Sequence, residues 1–534
     1  MSDGGDRGAS DGGDRGAVAR LAGGVRRAVN AVFKDREQFD LTSGGIGKPL
    51  FYLSLPIVIT NLLQTAYNLV DTIWLGQYSE TALAAIGMGF PVVFFLISLG
   101  LGISIAGSIL VAQNVGAGDE EQAEFAASQT VTFALIASVV LGAAGYLFVG
   151  DLVGFLGGPE NVTASATAYM EIISLGMIFM FAFFVFMSLM RGYGDTITPM
   201  LVMFVTVVVN MVLDPFLIFG WGPFPELGVV GAAYATVFSR ALATVIGLGI
   251  MFQGTRGVQI HLADMVPDPA YFRKILRVGV PASVENTGNS IAVVLMLTIV
   301  TPFGETVIAA YTVGVRMFSV IFLPAIAVGR GVETMSGQNI GAGERERAGR
   351  TTNFAAKAMF GVLAGVGVLT WLGAPNIVAI FSNDPEVVEI GRVFLRYVAP
   401  TFGFTGIFHA YKGGFRGAGK TLVAAAISIA MLGFVRLPVA YVASRSIDFE
   451  GTWFASALDA VPFLGGLVSA PIDAALSGSL GYEGIWLAFA VSNVVGAAIA
   501  FTWYMRGSWR EGDLTGPTVA AGNPDADPEP ATDD

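Results

Sequence analysis

The sequence predicts an all-α membrane protein with twelve transmembrane helices in two pseudo-twofold six-helix lobes, and three observations lead there. Hydrophobic residues make up 54% of the 534 and charged residues 13%, with a mean hydropathy of +0.67, a balance that water-soluble globules rarely show. Crossing about 30 Å of hydrocarbon takes roughly 20 apolar residues in a helix. Runs of that kind begin near residues 50, 83, 126, 166, 196, 229, 277, 307, 352, 390, 421 and 482. The third observation is that the chain repeats itself.

A shift of 225 residues superposes Pro56 on Pro281, Asn61 on Asn286, QNVGAG at 113–118 on QNIGAG at 338–343, and Arg191-Gly192 on Arg416-Gly417. The last pair of helices, GVVGAAYATVFS and GYEGIWLAFAVS, needs an offset of 253 because residues 446–480 intervene. Six helices per copy keep both copies in one orientation, so the axis relating them runs along the membrane normal and a central cavity between lobes is expected.

The organisation read from this is a disordered cytoplasmic tail at 1–45, a first lobe at 46–255, a cytoplasmic linker at 256–276, a second lobe at 277–508 with an outer helical insertion at about 446–480, and an acidic disordered tail at 509–534. The N-terminal tail carries SDGGDRGA twice in succession, and the C-terminal one collects much of the net charge of −12. Such segments cannot bury a core.

Orientation follows from the basic residues. The connections at 76–82, 151–165, 221–228, 302–306 and 374–387 contain no Lys or Arg, whereas the alternate ones carry Arg191, Arg256, Arg273, Arg345, Arg347 and Lys420 among others. Both termini are therefore expected in the cytoplasm, the chain being a multi-pass protein of the cell membrane. The acidic loop at 113–125, with Arg392 and Arg396 near an outer end, runs against this bias.

Polar residues inside the spans mark function, because lipid cannot satisfy them. In the first span Asn61, Gln64, Asn68 and Asp71 follow one helical face, and in the fifth Asn210 and Asp214 are four apart with Pro215 next to the acid. That proline withholds a helical N–H and frees a backbone carbonyl nearby. Asp71 precedes Trp74 by three residues and Asp214 precedes Trp221 by seven, which sets both acids in the outer half. The 225-residue shift puts Met296 and Val439 at the equivalent places, so the fold itself does not require the acids. Low dielectric disfavours a charged carboxylate, so each acid is expected to take up a proton or a cation. A purely structural role, bonding neighbouring helices, is the competing reading. Glu285 beside Asn286 and Asn289 reads equally well as a second-lobe ion site or a hydrated interfacial group. Pro56 reads first as an ordinary kink or first-turn proline, and its functional reading is a hinge. Charges within the spans are expected to be mainly acidic.

Other chemistry is excluded or weak. There is no cysteine, hence no disulfide or thiolate site. His261 and His409 make no metal signature. GFRGAGKT at 414–421 satisfies the phosphate-loop pattern, but apolar helices flank it where a strand should precede, and its repeat partner LMRGYGDT has Asp for Lys. No nucleotide or nucleic acid is expected, no cofactor beyond a coupling H+ or Na+, and no enzymatic activity.

LPIVITNLLQTAYNLVDTIWLG at 55–76, the two QNxGAG loops, RGYGDTITPM, NMVLDPFLIFG, GAAYAT and FRGAGKT, in that combination, resemble the multidrug and toxic compound extrusion (MATE) family, in the branch of DNA-damage-inducible F proteins and archaeal transporters. The resemblance covers about residues 45–508. It implies the MATE/MOP-like fold and secondary active export of multiple drugs or organic cations by proton- or sodium-coupled antiport with alternating access. It also implies ion coupling at Asp71, Asn210, Asp214 and Thr236, the same four holding Na+ where sodium couples. Gln64, Asn68, Tyr169, Asn61 and Glu285 would then line the substrate cavity, with bending at Pro56. Phe184 and Met187 stand where family members often have asparagines. Expected partners are small amphipathic or cationic substrates and membrane lipid, with the protein monomeric. A lipid-linked oligosaccharide flippase of the same superfamily is the alternative, and it usually lines its cavity with basic residues.

Overall fold

The computed structural model describes residues 40–445 and 480–515. The expected outer insertion at 446–480, apart from Leu480, and most of both tails lie outside the described residues.

The first lobe contains α1 (Gly47–Tyr78), α2 (Glu80–Gly116), α3 (Glu120–Leu156), α4 (Glu160–Leu175), α5 (Met177–Tyr193), α6 (Ile197–Phe219) and α7 (Val229–Gln253). The second contains α8 (Pro269–Val300), α9 (Glu305–Gly341), α10 (Arg345–Ala379), α11 (Pro385–Val398), α12 (Phe402–Gly417), α13 (Thr421–Ile429), α14 (Leu437–Ala443) and α15 (Tyr482–Met505). Among the described residues ten spans are long and apolar enough to cross a membrane, counting α13 and α14 as one, and the α4–α5 pair, bent by 55°, makes an eleventh. The remaining crossing is α11 and α12, joined by the 3-10 turn Ala399–Thr401. Its first half, PEVVEIGRVFLRYV, is amphipathic, with Arg392 and Arg396 among its apolar residues, and the run expected from near residue 390 continues through it into α12. Large apolar side chains stand exposed around the outside, Phe155 at 89% and Phe434 at 78%, as a lipid-facing surface requires.

Breaks in the helices have local causes. The α4–α5 bend falls at Gly176, where a β-carbon would come within 2.4 Å of Val237. Between α13 and α14 the backbone widens into a π-helix over Ala430–Arg436, a form that concentrates at functional positions. The suspected phosphate loop is the last turn of α12 followed by a turn into α13, made by Gly419 at φ +68°.

The lobes meet along α2 with α8, α2 with α9, and α1 with α9. At the QNxGAG ends they interlock reciprocally. A β-carbon on Gly116 would lie 1.9 Å from the Gln338 carbonyl oxygen, and one on Gly341 would lie 1.8 Å from that of Gln113. Gly192 abuts the Ser108 carbonyl and Gly417 the Glu333 carbonyl, both at 2.4 Å by the same measure. Every one of these pairs is related by the 225-residue offset.

Three expected boundaries shift. Residues 41–45 pack against the second lobe, where Asn339 donates to the Leu41 carbonyl and Arg347 to those of Ser43 and Gly44. Residues 509–514 pack too: the Trp509 ring stacks on Tyr504 at 4.7 Å and the Leu514 N–H donates to Gln113. Residues 41–45 and 509–514 therefore belong to the packed part of the molecule, because buried donors on the lobes require the carbonyls and the aromatic ring needs burial. The 256–276 linker is docked on α3 by Gln129, which donates to the carbonyls of Asp264 and Val266 and accepts from the Asp268 N–H. The α8 helix then starts at Pro269 behind its Asp268 cap, earlier than hydropathy suggests, since its first turns carry Arg273, Lys274 and Arg277.

Candidate functional site

The α1 helix presents Asn61, Gln64, Asn68 and Asp71 to the inside of the first lobe, as helical spacing requires. The α6 helix packs against it and brings Asn210 and Asp214, both fully buried. The carboxyl groups of Asp71 and Asp214 hydrogen-bond to one another. With its amide nitrogen turned toward the acids, Asn210 donates to Asp71 Oδ1 at 3.1 Å and to Asp214 Oδ2 at 3.3 Å. That orientation follows from the network, because two carboxylate oxygens require a donor between them. An ionised carboxylate only accepts, so two bonded carboxyl groups need a proton to join them.

The third wall is α7. Tyr67 Oη and Thr236 Oγ1 share a hydrogen bond of 2.7 Å, Tyr169 of α4 bonds Thr236 as well, and Tyr67 bonds Asp71. One turn beyond Thr236, Arg240 donates to Gln64 Oε1 at 2.9 Å, its guanidinium 5.2 Å from the ring centres of both Tyr67 and Phe183. At the Trp74 end an aromatic cluster of Trp74, Tyr78, Phe216, Phe219 and Trp221 closes α1 onto α6, with ring centres about 6 Å apart.

These side chains border a cavity of 340 Å³ between α1, α2, α4, α5 and α7. Its polar border is Gln64, Asn68, Asp71, Tyr169, Thr236 and Arg240, and its remaining lining is mainly apolar. Asp214 and Asn210 stand behind Asp71 and do not line it. A second, smaller chamber of 150 Å³ adjoins it, sharing Gln64, Leu101 and Phe184, and takes in Asn61. Phe184 and Met187 thus do face the interior. Pro56 lies within the continuous α1, where its carbonyl accepts from Thr60 Oγ1 at 2.8 Å.

Glu285 is elsewhere. Grouped above with the cavity residues, it is fully buried within the second lobe and borders neither chamber. It accepts from Arg416 at 2.6 Å, Ser428 at 2.8 Å and Lys412 at 3.1 Å. A buried carboxylate answers to whatever cations can reach it, and these arrive from α12, 127 and 131 residues along the chain. The expectation of mainly acidic charge within the spans also fails, for Arg191, Arg240, Arg416 and Arg436 are all buried. Arg436, in the π-helical stretch, donates to Ser492 and Asn493 and lies 4.3 Å over Phe489. By the 253 offset Asn493 is the counterpart of Arg240.

The same duplication appears in comparison with known proteins. The MatE family model matches residues 56–216 and again 281–442. The chain belongs to the MATE family of transporters.

Among curated MATE relatives, the probable multidrug resistance protein YoeA of Bacillus subtilis is 31% identical over 75% of this chain and 88% of its own length. The probable multidrug resistance protein NorM of Thermotoga maritima is 29% identical over 78% and 90%, and a FAD transporter of Shewanella oneidensis 27% identical over 79% and 93%. Among solved structures, a MOP superfamily transporter from Pyrococcus furiosus superposes with a TM-score of 0.76 at 26% identity, covering 88% of this chain and 98% of that one. A MATE structure described as in the bent conformation gives 0.77 at 25% identity over 89% and 98%.

Proposed function

We propose that the protein is a multidrug exporter that sends small amphipathic or cationic compounds out of the cell in exchange for protons bound at Asp71 and Asp214. The observation that carries this reading is the carboxyl pair. Two acids, bonded to each other and to Asn210, sit where only one of them, Asp71, borders a cavity large enough for a drug-sized molecule. Adding or removing a proton there changes the number of bonds that α1 and α6 can make with each other. It also changes the charge at the cavity wall, so substrate and proton compete for one region. The names of the relatives, multidrug resistance and export proteins among them, support the substrate class.

A sodium ion could be held by oxygens of Asp71, Asn210, Asp214 and Thr236, a hard donor set that suits it. Turned the other way, the amide of Asn210 would offer its oxygen to such an ion, and the separate sodium gradient below tests it. On this reading the protein works as a monomer in the cell membrane with both termini in the cytoplasm, and Pro56 is the point at which α1 bends between states.

The test is ethidium efflux from proteoliposomes under an imposed pH gradient, and separately under an imposed sodium gradient. Efflux driven by the pH gradient in the native protein, and absent in folded Asp71→Asn and Asp214→Asn proteins, is the expected result. Efflux that follows sodium alone, or that survives both substitutions, overturns it.

A further inference from the structure

We infer that Arg191, Arg330 and Asn61 form a binding site for a small oxyanion, the phosphate or carboxylate group of a ligand, in the smaller chamber between the lobes. The site goes beyond the coupling reading and does not depend on it.

The chamber of 150 Å³ is bounded by α1, α2, α5 and α6 of the first lobe and by Arg330 on α9 of the second, and among the described residues no carboxylate lines it. Its polar lining is rich in donors. Arg191 gives one N–H to Ser188 Oγ at 2.8 Å, while its Nε is buried without a partner. The side-chain nitrogen of Asn61 is also buried and unpartnered. Among the described residues the guanidinium of Arg330 makes no hydrogen bond, and Thr196 adds a hydroxyl to the rim. Buried donors without acceptors cost free energy that a ligand with several acceptor oxygens removes.

Charge points the same way. The basic groups in mutual contact or field here are Arg191, Arg330, Lys412 and Arg416, and the acidic ones are Glu285 and Glu333. Glu285 is occupied by Arg416 and Lys412, and Glu333 stands 3.9 Å from Arg416. Four cations face two anions, which leaves an excess of two positive charges, and among the described residues Arg191 and Arg330 make no ion pair and share only the field of Glu333. Uncompensated cations in a low-dielectric interior favour an anion strongly, and guanidinium groups with an amide donor match the geometry of an oxyanion better than a monatomic one. The shared residues Gln64, Leu101 and Phe184 put the anionic end of a ligand here and leave the 340 Å³ cavity for its apolar body.

The experiment is thermal unfolding of the purified full-length protein in phosphatidylcholine nanodiscs, titrated with pyrophosphate against chloride at matched ionic strength and with no gradient. The unfolding temperature of the native protein should rise with pyrophosphate. Arg330→Gln and Asn61→Leu should each move the midpoint concentration at least about tenfold higher, and Arg330→Gln in chloride should unfold no lower than native because it removes an unpaired charge. Asn61→Leu keeps the test open if the arginine variant does not fold. A native protein that ignores pyrophosphate, or two variants that respond as native does, overturns the site. Repeating the titration in phosphatidylglycerol nanodiscs assigns the source. A native protein already stabilised over Arg330→Gln, and no longer responsive, holds a lipid headgroup phosphate, whereas a persisting response indicates a soluble ligand. Failure here leaves the proton-coupling reading standing, since the measurement involves neither transport nor Asp71.

Discussion

Gln113 and Gln338, one in each QNxGAG loop, make the same bond in opposite directions across the molecule. The amide nitrogen of Gln113 donates to the Gly417 carbonyl at 2.9 Å, and that of Gln338 to the Gly192 carbonyl at 3.0 Å. Each glycine follows the buried arginine that ends a helix of the opposite lobe, so the two lobes clasp each other through a pair of side chains that the duplication made equivalent. Any rearrangement that parts the lobes at this end must break both bonds, and the conformation described here is the one in which they are closed.

The glycines beneath this clasp tolerate nothing larger. Gly341→Ala would drive a methyl group into the Gln113 carbonyl, which is backbone and cannot swing away. The expected cost is at or above the upper end of the roughly 1–3 kcal/mol typical of overpacking, read as loss of a monodisperse peak in fluorescence-detected size exclusion. Gly365→Ala on α10, with open space around its added methyl, should behave as native. A Gly341→Ala protein as stable as Gly365→Ala would mean that the clasp opens freely.

Glu285 should matter for folding and not for coupling. Glu285→Gln leaves Arg416 and Lys412 without their buried counter-charge, and breaking such a pair costs about 3–5 kcal/mol. Unfolding in nanodiscs should show that loss, and Arg416→Met added to Glu285→Gln should recover part of it. A Glu285→Gln protein that unfolds like native yet fails to transport would put Glu285 back among the transport residues.

How much of this was legible in the sequence depends on whether a feature is local. The α1 face of Asn61, Gln64, Asn68 and Asp71 follows from helical period alone, and the equivalence of the two QNxGAG loops follows from a single offset, whereas their clasp across the lobes needs the packed structure. The pairing of Asp71 with Asp214 was inferable in depth, because both precede tryptophans, but not in contact, which needs α1 against α6. Tyr67 and Arg240 were missed. A tyrosine in an apolar helix reads as packing, and one arginine on α7 reads as an exception to hydropathy. The available signal was that Arg240 lies one helical turn after Thr236, on the face already assigned to ions. Glu285 was misplaced because its partners are more than a hundred residues away, beyond what any periodicity conveys.

The bond between Tyr67 and Thr236 ties α1 to α7 beside the acids. Tyr67→Phe and Thr236→Val should each lose about 0.5–1.5 kcal/mol of stability, and the double variant less than the sum of the two, since the bond they share is lost only once while the bonds of Tyr67 to Asp71 and of Thr236 to Tyr169 are lost separately. A double-mutant cycle on unfolding free energies measures this directly. Fully additive losses would mean that the two hydroxyls act through separate partners, Tyr67 through Asp71 and Thr236 through Tyr169.

Arg240 bears on substrate choice, because it puts a fixed positive charge on the wall of the cavity that Asp71 also borders. Its stacking between Tyr67 and Phe183 and its bond to Gln64 hold the guanidinium in place, so a cationic guest must enter against it. Arg240→Gln removes that repulsion while an amide can still donate to Gln64. Unit charges at these separations in a partly polar interior interact by about 1 kcal/mol or more, so ethidium should bind the variant roughly fivefold tighter or better. A neutral dye of similar size should bind with unchanged affinity. Fluorescence titration of the purified variant gives both numbers. Equal gains for the neutral and the cationic dye would assign the effect to added space and not to charge. Weaker ethidium binding would show that Arg240 serves the site by holding Gln64 and Tyr67 in position.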